Sequence, residues 1–291
     1  MILSVDQLEG GEILLEAIED ANGSVIVPRG TSIKKEYISL LQSLAIEFVS
    51  IEKSEDENIG YQTIIPQTTI DDMVSQVKKR MENHIYQRDD SLKKFEIIER
   101  EIVKEIDKIP PDYRFDLYER KSDLYEHSVM VALYSVALAK RMGIHVREHL
   151  CDIALGCLLH DIGLRYITVS FQNRNMSELK PEEQFEYKKH TILGYTAIEC
   201  EPWISERTKK MILCHHENQC GSGFPMRSKN KELVCQIIQF TDYLDRSLCG
   251  IECKRTNVRE CFDSIAYKRG REFEDCVVEQ FLCMTTKDFV V

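Results

Sequence analysis

From Tyr113 to the C-terminus, apolar residues recur at helical spacing in one segment after another, and imidazoles and carboxylates are set inside those apolar faces. This combination constrains the fold most. Amphipathic periods cover 125–141, 148–159, 181–198, 205–214, 233–248, 258–269 and 276–284, with no strand-like alternation and no Gly-rich phosphate loop between them. Leu158-Leu159 precede His160-Asp161, Ile212-Leu213 precede His215-His216, and Ile237-Ile238 and Phe240 approach Asp242, while His127 and His190 sit in similar surroundings. A lone histidine in such a setting is more often a satisfied core residue than a ligand. Five histidines and two aspartates in one interior would leave several donors and charges unpaired, at several kcal/mol each. Shared transition metals resolve that cost, since imidazole and carboxylate suit Fe, Mn, Zn or Ni. The expected architecture is mainly α: an all-α bundle around a buried polar site.

The segment ahead of the bundle is of another kind. Residues 1–52 mix short apolar runs with turn signals. Asn22-Gly23 before Val25-Ile26-Val27 predicts a hairpin, 33–44 carries a helical period, and 48–51 predicts a last strand, which together make a small α+β module. Residues 53–68 have no apolar period and are expected as a linker; 70–109 is helical in pattern up to Pro110-Pro111, giving a long helical connector over 53–111 ahead of a domain at 112–291. The apolar stripe of 70–109 is either a helix pair covering its own core or a coiled-coil-like surface for a homodimer.

Composition narrows the function classes. The chain has 291 residues, a net charge of −11 and no uninterrupted apolar run of the ~18 residues that a membrane span needs. The acidic balance disfavours binding to a nucleic-acid polymer. The N-terminus lacks a signal-peptide pattern, so a cytoplasmic location is the expectation. The 11 cysteines are odd in number and include no C-x-x-C pair, so most are expected to be small buried hydrophobes. His84, His145 and His149 lie in polar stretches and are expected at the surface.

The ordered motifs are more specific than the periods. His127-Ser128, His160-Asp161-Ile162-Gly163, Lys189-His190 followed by Gly194, His215-His216-Glu217, Gly221-Ser222-Gly223-Phe224-Pro225 and Thr241-Asp242 resemble the HD-GYP family, a branch of the HD metal-dependent phosphohydrolases. The resemblance covers about 113–285 and implies an HD-type bundle. It implies His127, His160, Asp161, His190, His215, His216 and Asp242 as ligands of two or three divalent metals, Fe or Mn first and Zn or Ni as alternatives. His160 and Asp161 would be the catalytic pair, with Asp161 bridging. Asp123, one helical turn before His127, is a candidate for a third metal. Glu217 is expected to orient a ligand. Residues Gly221, Ser222, Gly223, Phe224 and Pro225 are expected at the substrate.

The implied activity is a phosphodiesterase that hydrolyses a cyclic dinucleotide, cyclic di-GMP above others, through a metal-bridging hydroxide. The sequence departs from the family at the substrate side. Leu164 stands where a lysine usually follows His-Asp-x-Gly, and Arg165 is the candidate to replace it. Phe224 replaces a tyrosine, Cys220 an acid or asparagine, and the stretch 173–178 lacks the common Lys-Pro-Gly. Two other readings therefore stand beside the first: a weakly active or inactive nucleotide-binding signalling module, and an HD phosphohydrolase acting on another nucleotide.

Overall fold

A computed structural model describes residues 2–5, 8, 13–14, 17–19, 25–28, 31, 33–44, 46, 48–52, 65–86, 92–110, 113–115, 117–169 and 174–285. Its contacts divide the chain into two units, Met1–Thr63 and Ile64–Val291. In the first, strand β5 (Phe48–Glu52) pairs antiparallel with β1 (Ile2–Ser4) on one side and β2 (Ile13–Leu14) on the other. Strands β3 (Ile18–Glu19) and β4 (Val25–Val27) form a separate antiparallel pair. Helix α1 (Lys35–Ser43) contributes Leu41 to a small core with Val5, Leu14, Ile33 and Val49. The Asn22-Gly23 turn and most of the expected linker lie outside the described residues.

The second unit is a helical bundle. Helices α2 (Gln67–Tyr86) and α3 (Phe95–Asp107) lead into α4 (Leu124–Arg141) and α5 (Arg147–Leu159). A 3-10 turn, Ile162–Tyr166, follows α5. Then come α6 (Pro181–Lys188), α7 (His190–Ile198), α8 (Glu206–Cys214), α9 (Leu233–Cys249), α10 (Val258–Lys268) and α11 (Asp275–Leu282). The single helix expected over 181–198 is two, because the chain turns at Lys189 and starts again at His190.

The 70–109 stripe resolves in favour of the chain's own core. Met73, Val77, Phe95, Ile98 and Ile102 are fully buried in the same cluster as Val131, Leu158 and Phe240. Burying an apolar side chain of this size removes ~1.5–3 kcal/mol of exposure cost, so these residues of the stripe are spent within the unit. The helices expected as a connector are part of the bundle they precede.

The cysteine expectation needs correction too. Cys157 and Cys235 are buried, but Cys151 is half-buried and Cys200, Cys220, Cys276 and Cys283 are exposed; all are free thiols. Among the described residues no helix is long and apolar enough to cross a membrane. His145 is exposed and His149 partly so, and the side chain of His84 lies outside the described set.

Candidate metal centre

Three of the site histidines are placed by one local device. His160 follows α5, His190 follows α6 and His215 follows α8, so each stands where a helix runs out of intrahelical donors for its last carbonyls. Each bonds such a carbonyl through Nδ1: His160 to Cys157 at 2.6 Å, His190 to Tyr187 at 2.8 Å and His215 to Ile212 at 2.8 Å. A carbonyl only accepts, so Nδ1 carries the proton and Nε2 presents a lone pair to the interior. The last turns of α5, α6 and α8 thus hold three imidazoles with Nε2 free to donate a lone pair, a set that suits a cation.

His127 comes from the first turns of α4 and is held differently. Its Nδ1 meets Asp245 Oδ2 at 2.7 Å, and Asp245 is fixed in turn by Arg120 at 2.6 Å through Oδ1. Asp242, one turn earlier on α9, faces His127 Nε2 at 3.2 Å and His160 Nε2 at 3.5 Å through Oδ1.

Asp161 lies between two groups of imidazoles. Its Oδ2 is 3.2 Å from His160 Nε2 and 3.9 Å from His127 Nε2. Its Oδ1 is 3.5 Å from both His190 Nε2 and His215 Nε2. The ligand atoms of His127, His160 and Asp161 lie within 4.8 Å of one another, as do those of Asp161, His190, His215 and His216. Asp161 belongs to both groups.

These groups fit divalent metals on their own chemistry. His160 Nε2 and both oxygens of Asp161 are buried without a hydrogen-bond partner. His190 Nε2 and His215 Nε2 are 3.2 Å apart while both Nδ1 protons are spent on carbonyls. Two lone pairs at that distance repel unless a cation lies between them. Transition metals that accept nitrogen and carboxylate oxygen would satisfy every one of these atoms.

The titration pattern follows the same division. Burial opposes the charged form of His127, but the hydrogen bonds it donates to Asp242 and Asp245 outweigh it and hold its pKa well above the usual value. His160 is likewise raised to about 10, since the nearby Asp161 charge overcomes desolvation. On the other side burial lowers His190, and burial with the neighbouring His215 and Arg246 lowers His216 strongly. Burial pushes the two carboxylates up, yet His160 beside Asp161 and Arg246 beside Asp242 hold both well below the usual range.

Close packing fixes the separation of the two groups. A Cβ on Gly163 would lie 1.8 Å from the His190 carbonyl oxygen and 2.7 Å from the Gly194 nitrogen. Only glycine lets the turn after Asp161 approach α7 so closely.

Beside the centre lies a cavity of about 410 Å³, within the ordinary range for small-molecule sites. His215, His216, Ser222, Gly223 and Phe224 are among its walls. The Phe224 ring stacks on His216 with centroids 4.4 Å apart, and Phe224 N–H donates to the His216 carbonyl. A Cβ on Gly223 would sit 2.2 Å from that same carbonyl oxygen, so the loop needs glycine to fold back on the histidine pair. Ser222 is held by Asn218 through its backbone N–H and its hydroxyl. Gly221 takes a left-handed turn with φ +74° and, like Pro225, shapes the loop without lining the cavity.

Three expectations are corrected by these contacts. Asp123 is the N-cap of α4: its Oδ1 accepts the N–H groups of Tyr125 and Glu126, and it joins none of the ligand groups among the described residues. Glu217 orients no imidazole. Its carboxylate accepts the N–H groups of Met226, Arg227 and Ser228, which pins the loop after Pro225. Arg165 points away from the cavity and donates to the Met81 carbonyl, because the 3-10 turn advances each residue by roughly 120°. Leu164 is buried against Leu179 and Tyr187.

Sequence reasoning missed Asp245, Arg246, Glu252 and Tyr187. Asp245 had a signal, the i, i+3 pair Asp242-x-x-Asp245 on one helix face. Glu252 had none: it reaches the site from the turn after α9 at φ +62°.

Residues 124–247 match the family model described as HD domain. This segment is an HD domain. The chain is 26% identical over 186 residues to "Cyclic di-GMP phosphodiesterase" of Thermotoga maritima, an alignment covering 59% of this chain and 49% of that protein. "Probable cyclic di-GMP phosphodiesterase" of Vibrio cholerae is 24% identical over 258 residues, covering 78% and 58%. The chain therefore spans about half the length of these relatives. Its fold is similar to that of "Bd1817, a HDG"Y"P protein" from Bdellovibrio bacteriovorus, with a TM-score of 0.58, 16% identity and 97% of both chains covered. The resemblance to the HD-GYP family read from the motifs is borne out.

Proposed function

We propose that the protein is a metal-dependent phosphodiesterase of HD-GYP type, with cyclic di-GMP as its first candidate substrate and the HD domain at 112–291 as its catalytic part. The observation that carries the reading is Asp161, whose two oxygens face two separate sets of imidazole Nε2 atoms beside an open cavity. His127, His160 and Asp242 would hold one metal with Asp161, and His190, His215 and His216 a second. Fe or Mn suits these ligands, and Zn or Ni is the alternative. When bound, such metals acidify water and neutralise phosphate charge.

The protein's own residues do the rest. Carbonyls at helix ends and Asp245 keep His160, His190, His215 and His127 in the tautomer that exposes Nε2. Phe224 offers an aromatic face at the cavity, on which a base can stack. The names of the Thermotoga and Vibrio relatives support a cyclic dinucleotide over other phosphoesters.

A second reading, a nucleotide-binding module with weak turnover, is favoured by Leu164 and by the orientation of Arg165, which together remove the expected ammonium from the phosphate side. The test is turnover of the purified full chain, loaded anaerobically with Fe(II) or Mn(II), on a panel of cyclic di-GMP, other cyclic dinucleotides and mononucleotides. Metal-dependent hydrolysis of cyclic di-GMP that disappears, with the metal, in His160→Ala/Asp161→Ala supports the enzyme. Tight nucleotide binding without product supports the second reading, and preference for a mononucleotide overturns both.

A further inference from the structure

The cavity needs a fixed cation for a phosphate, and positions 164 and 165 supply none: Leu164 is apolar and buried, and Arg165, the candidate replacement, is engaged with Met81. Three other cationic side chains line the cavity, Lys188, Arg246 and Lys268. Lys268 is paired with Glu272, and Lys188 stands 5.6 Å over the Phe224 ring. Arg246 differs from both because it reaches the metal centre itself. It lies one turn after Asp242 on α9, with Nε 3.0 Å from Asp242 Oδ2 and Nη1 2.8 Å from Glu252 Oε2.

Glu252 is unusual in its own right. Helix α9 ends at Gly250 with φ +75°, the chain turns, and Glu252 at φ +62° sends its carboxylate back beneath Arg246. That carboxylate is 1% exposed, and its Oε1 is buried without a hydrogen-bond partner. Burying an incompletely paired carboxylate is costly, so a helix end shaped to do so calls for a compensating role. Aiming a guanidinium supplies one. Arg246 has no acceptor atom and keeps its proton, so it cannot be a metal ligand. A planar fork on a cavity wall matches the oxygens of a phosphodiester.

We propose that Arg246 is the phosphate anchor of this site, taking over the task of the ammonium missing at position 164, and that Glu252 is its positioning residue. The inference rests on the phosphodiesterase reading above. If the pair served only to neutralise Asp242, its loss would act through the metal. An anchor acts on the nucleotide with the metal retained, and the two roles separate on that point.

The experiment uses the metal-loaded full chain and the variants Arg246→Gln, Arg246→Lys and Glu252→Gln. Metal per chain, melting temperature, KM and kcat for cyclic di-GMP, and calorimetric binding of its phosphorothioate analogue are measured on each. Arg246→Gln is expected to keep its metal and to weaken analogue binding roughly ten- to a hundredfold, the size of one charge-assisted hydrogen bond. Arg246→Lys keeps the charge without the fork and recovers part of the loss; it also serves if Arg246→Gln folds poorly. Glu252→Gln raises KM more than it lowers kcat. Wild-type analogue affinity in Arg246→Gln, or loss of affinity only in proportion to lost metal, overturns the anchor while leaving the enzyme reading intact. A wild-type protein that takes up metal yet neither binds nor hydrolyses cyclic di-GMP overturns the enzyme reading and the anchor with it.

Discussion

Replacing Gly163 with alanine tests how the two halves of the centre are held in register. The added Cβ would stand 1.8 Å from the His190 carbonyl oxygen, whereas ordinary contact begins at 3.4 Å. Helix α7 has to retreat by about 1.5 Å, because the obstructing atoms are backbone and no rotamer relieves them. Overpacking of this kind costs at the upper end of its usual range, ~3 kcal/mol, which for a unit of this size lowers the melting temperature by about 6–12 °C. His190 is the first residue of α7 and moves with it, while metal–nitrogen bonds tolerate only ~0.2 Å. Gly163→Ala should therefore lose metal from the His190 and His215 side and retain more on the His127 and His160 side. Gly194→Ala is the control, since its Cβ meets the movable Ile212 methyl at 3.2 Å. Melting curves and elemental analysis of both variants provide the comparison. A Gly163→Ala protein with wild-type metal content and melting temperature would refute the argument.

Two further outcomes follow from groups away from the cavity. Asp245→Asn leaves the shape but weakens the 2.7 Å hold on His127 Nδ1, and metal affinity measured against a chromophoric chelator should fall roughly ten- to a hundredfold; unchanged affinity would contradict the role given to Asp245. Glu99 on α3 has its pKa raised from 4.5 to about 8, by burial first and then by Glu96, so between those values the folded chain keeps a proton that the unfolded chain has released and stability falls as pH rises. Glu99→Gln removes that dependence and should stabilise by ~2 kcal/mol at pH 8, after allowance for solvent screening, with little gain at pH 4.5. Denaturant midpoints at the two pH values decide it, and an equal effect at both would count against a buried, protonated Glu99.

Much of the second unit was legible because helical periods read burial directly. Helices α5, α8 and α9 fall within a residue of their expected bounds; six of the seven ligand candidates gather in two groups, and Asp242 faces His127 and His160. Other features depended on partners that spacing does not reveal. The stripe over 70–109 has one period whether it faces its own bundle or a second copy. Asp123 and Glu217 are acids next to histidines in sequence, but the nearest unsatisfied donors are backbone N–H groups, and those claim them. Glu252 arrives from a left-handed turn that no short pattern announces. The leucine at 164 showed that a cation was missing, and only the packed side chains show Arg246 beside Asp242 and the cavity.

The central claim is a polynuclear centre shared through Asp161, and anomalous diffraction from crystals of the Mn- or Fe-loaded protein tests it most directly. The account predicts two metal peaks flanking Asp161, one against His127 and His160 and the other against His190 and His215. A single peak that leaves one of these pairs empty, or metal bound away from Asp161, would contradict it.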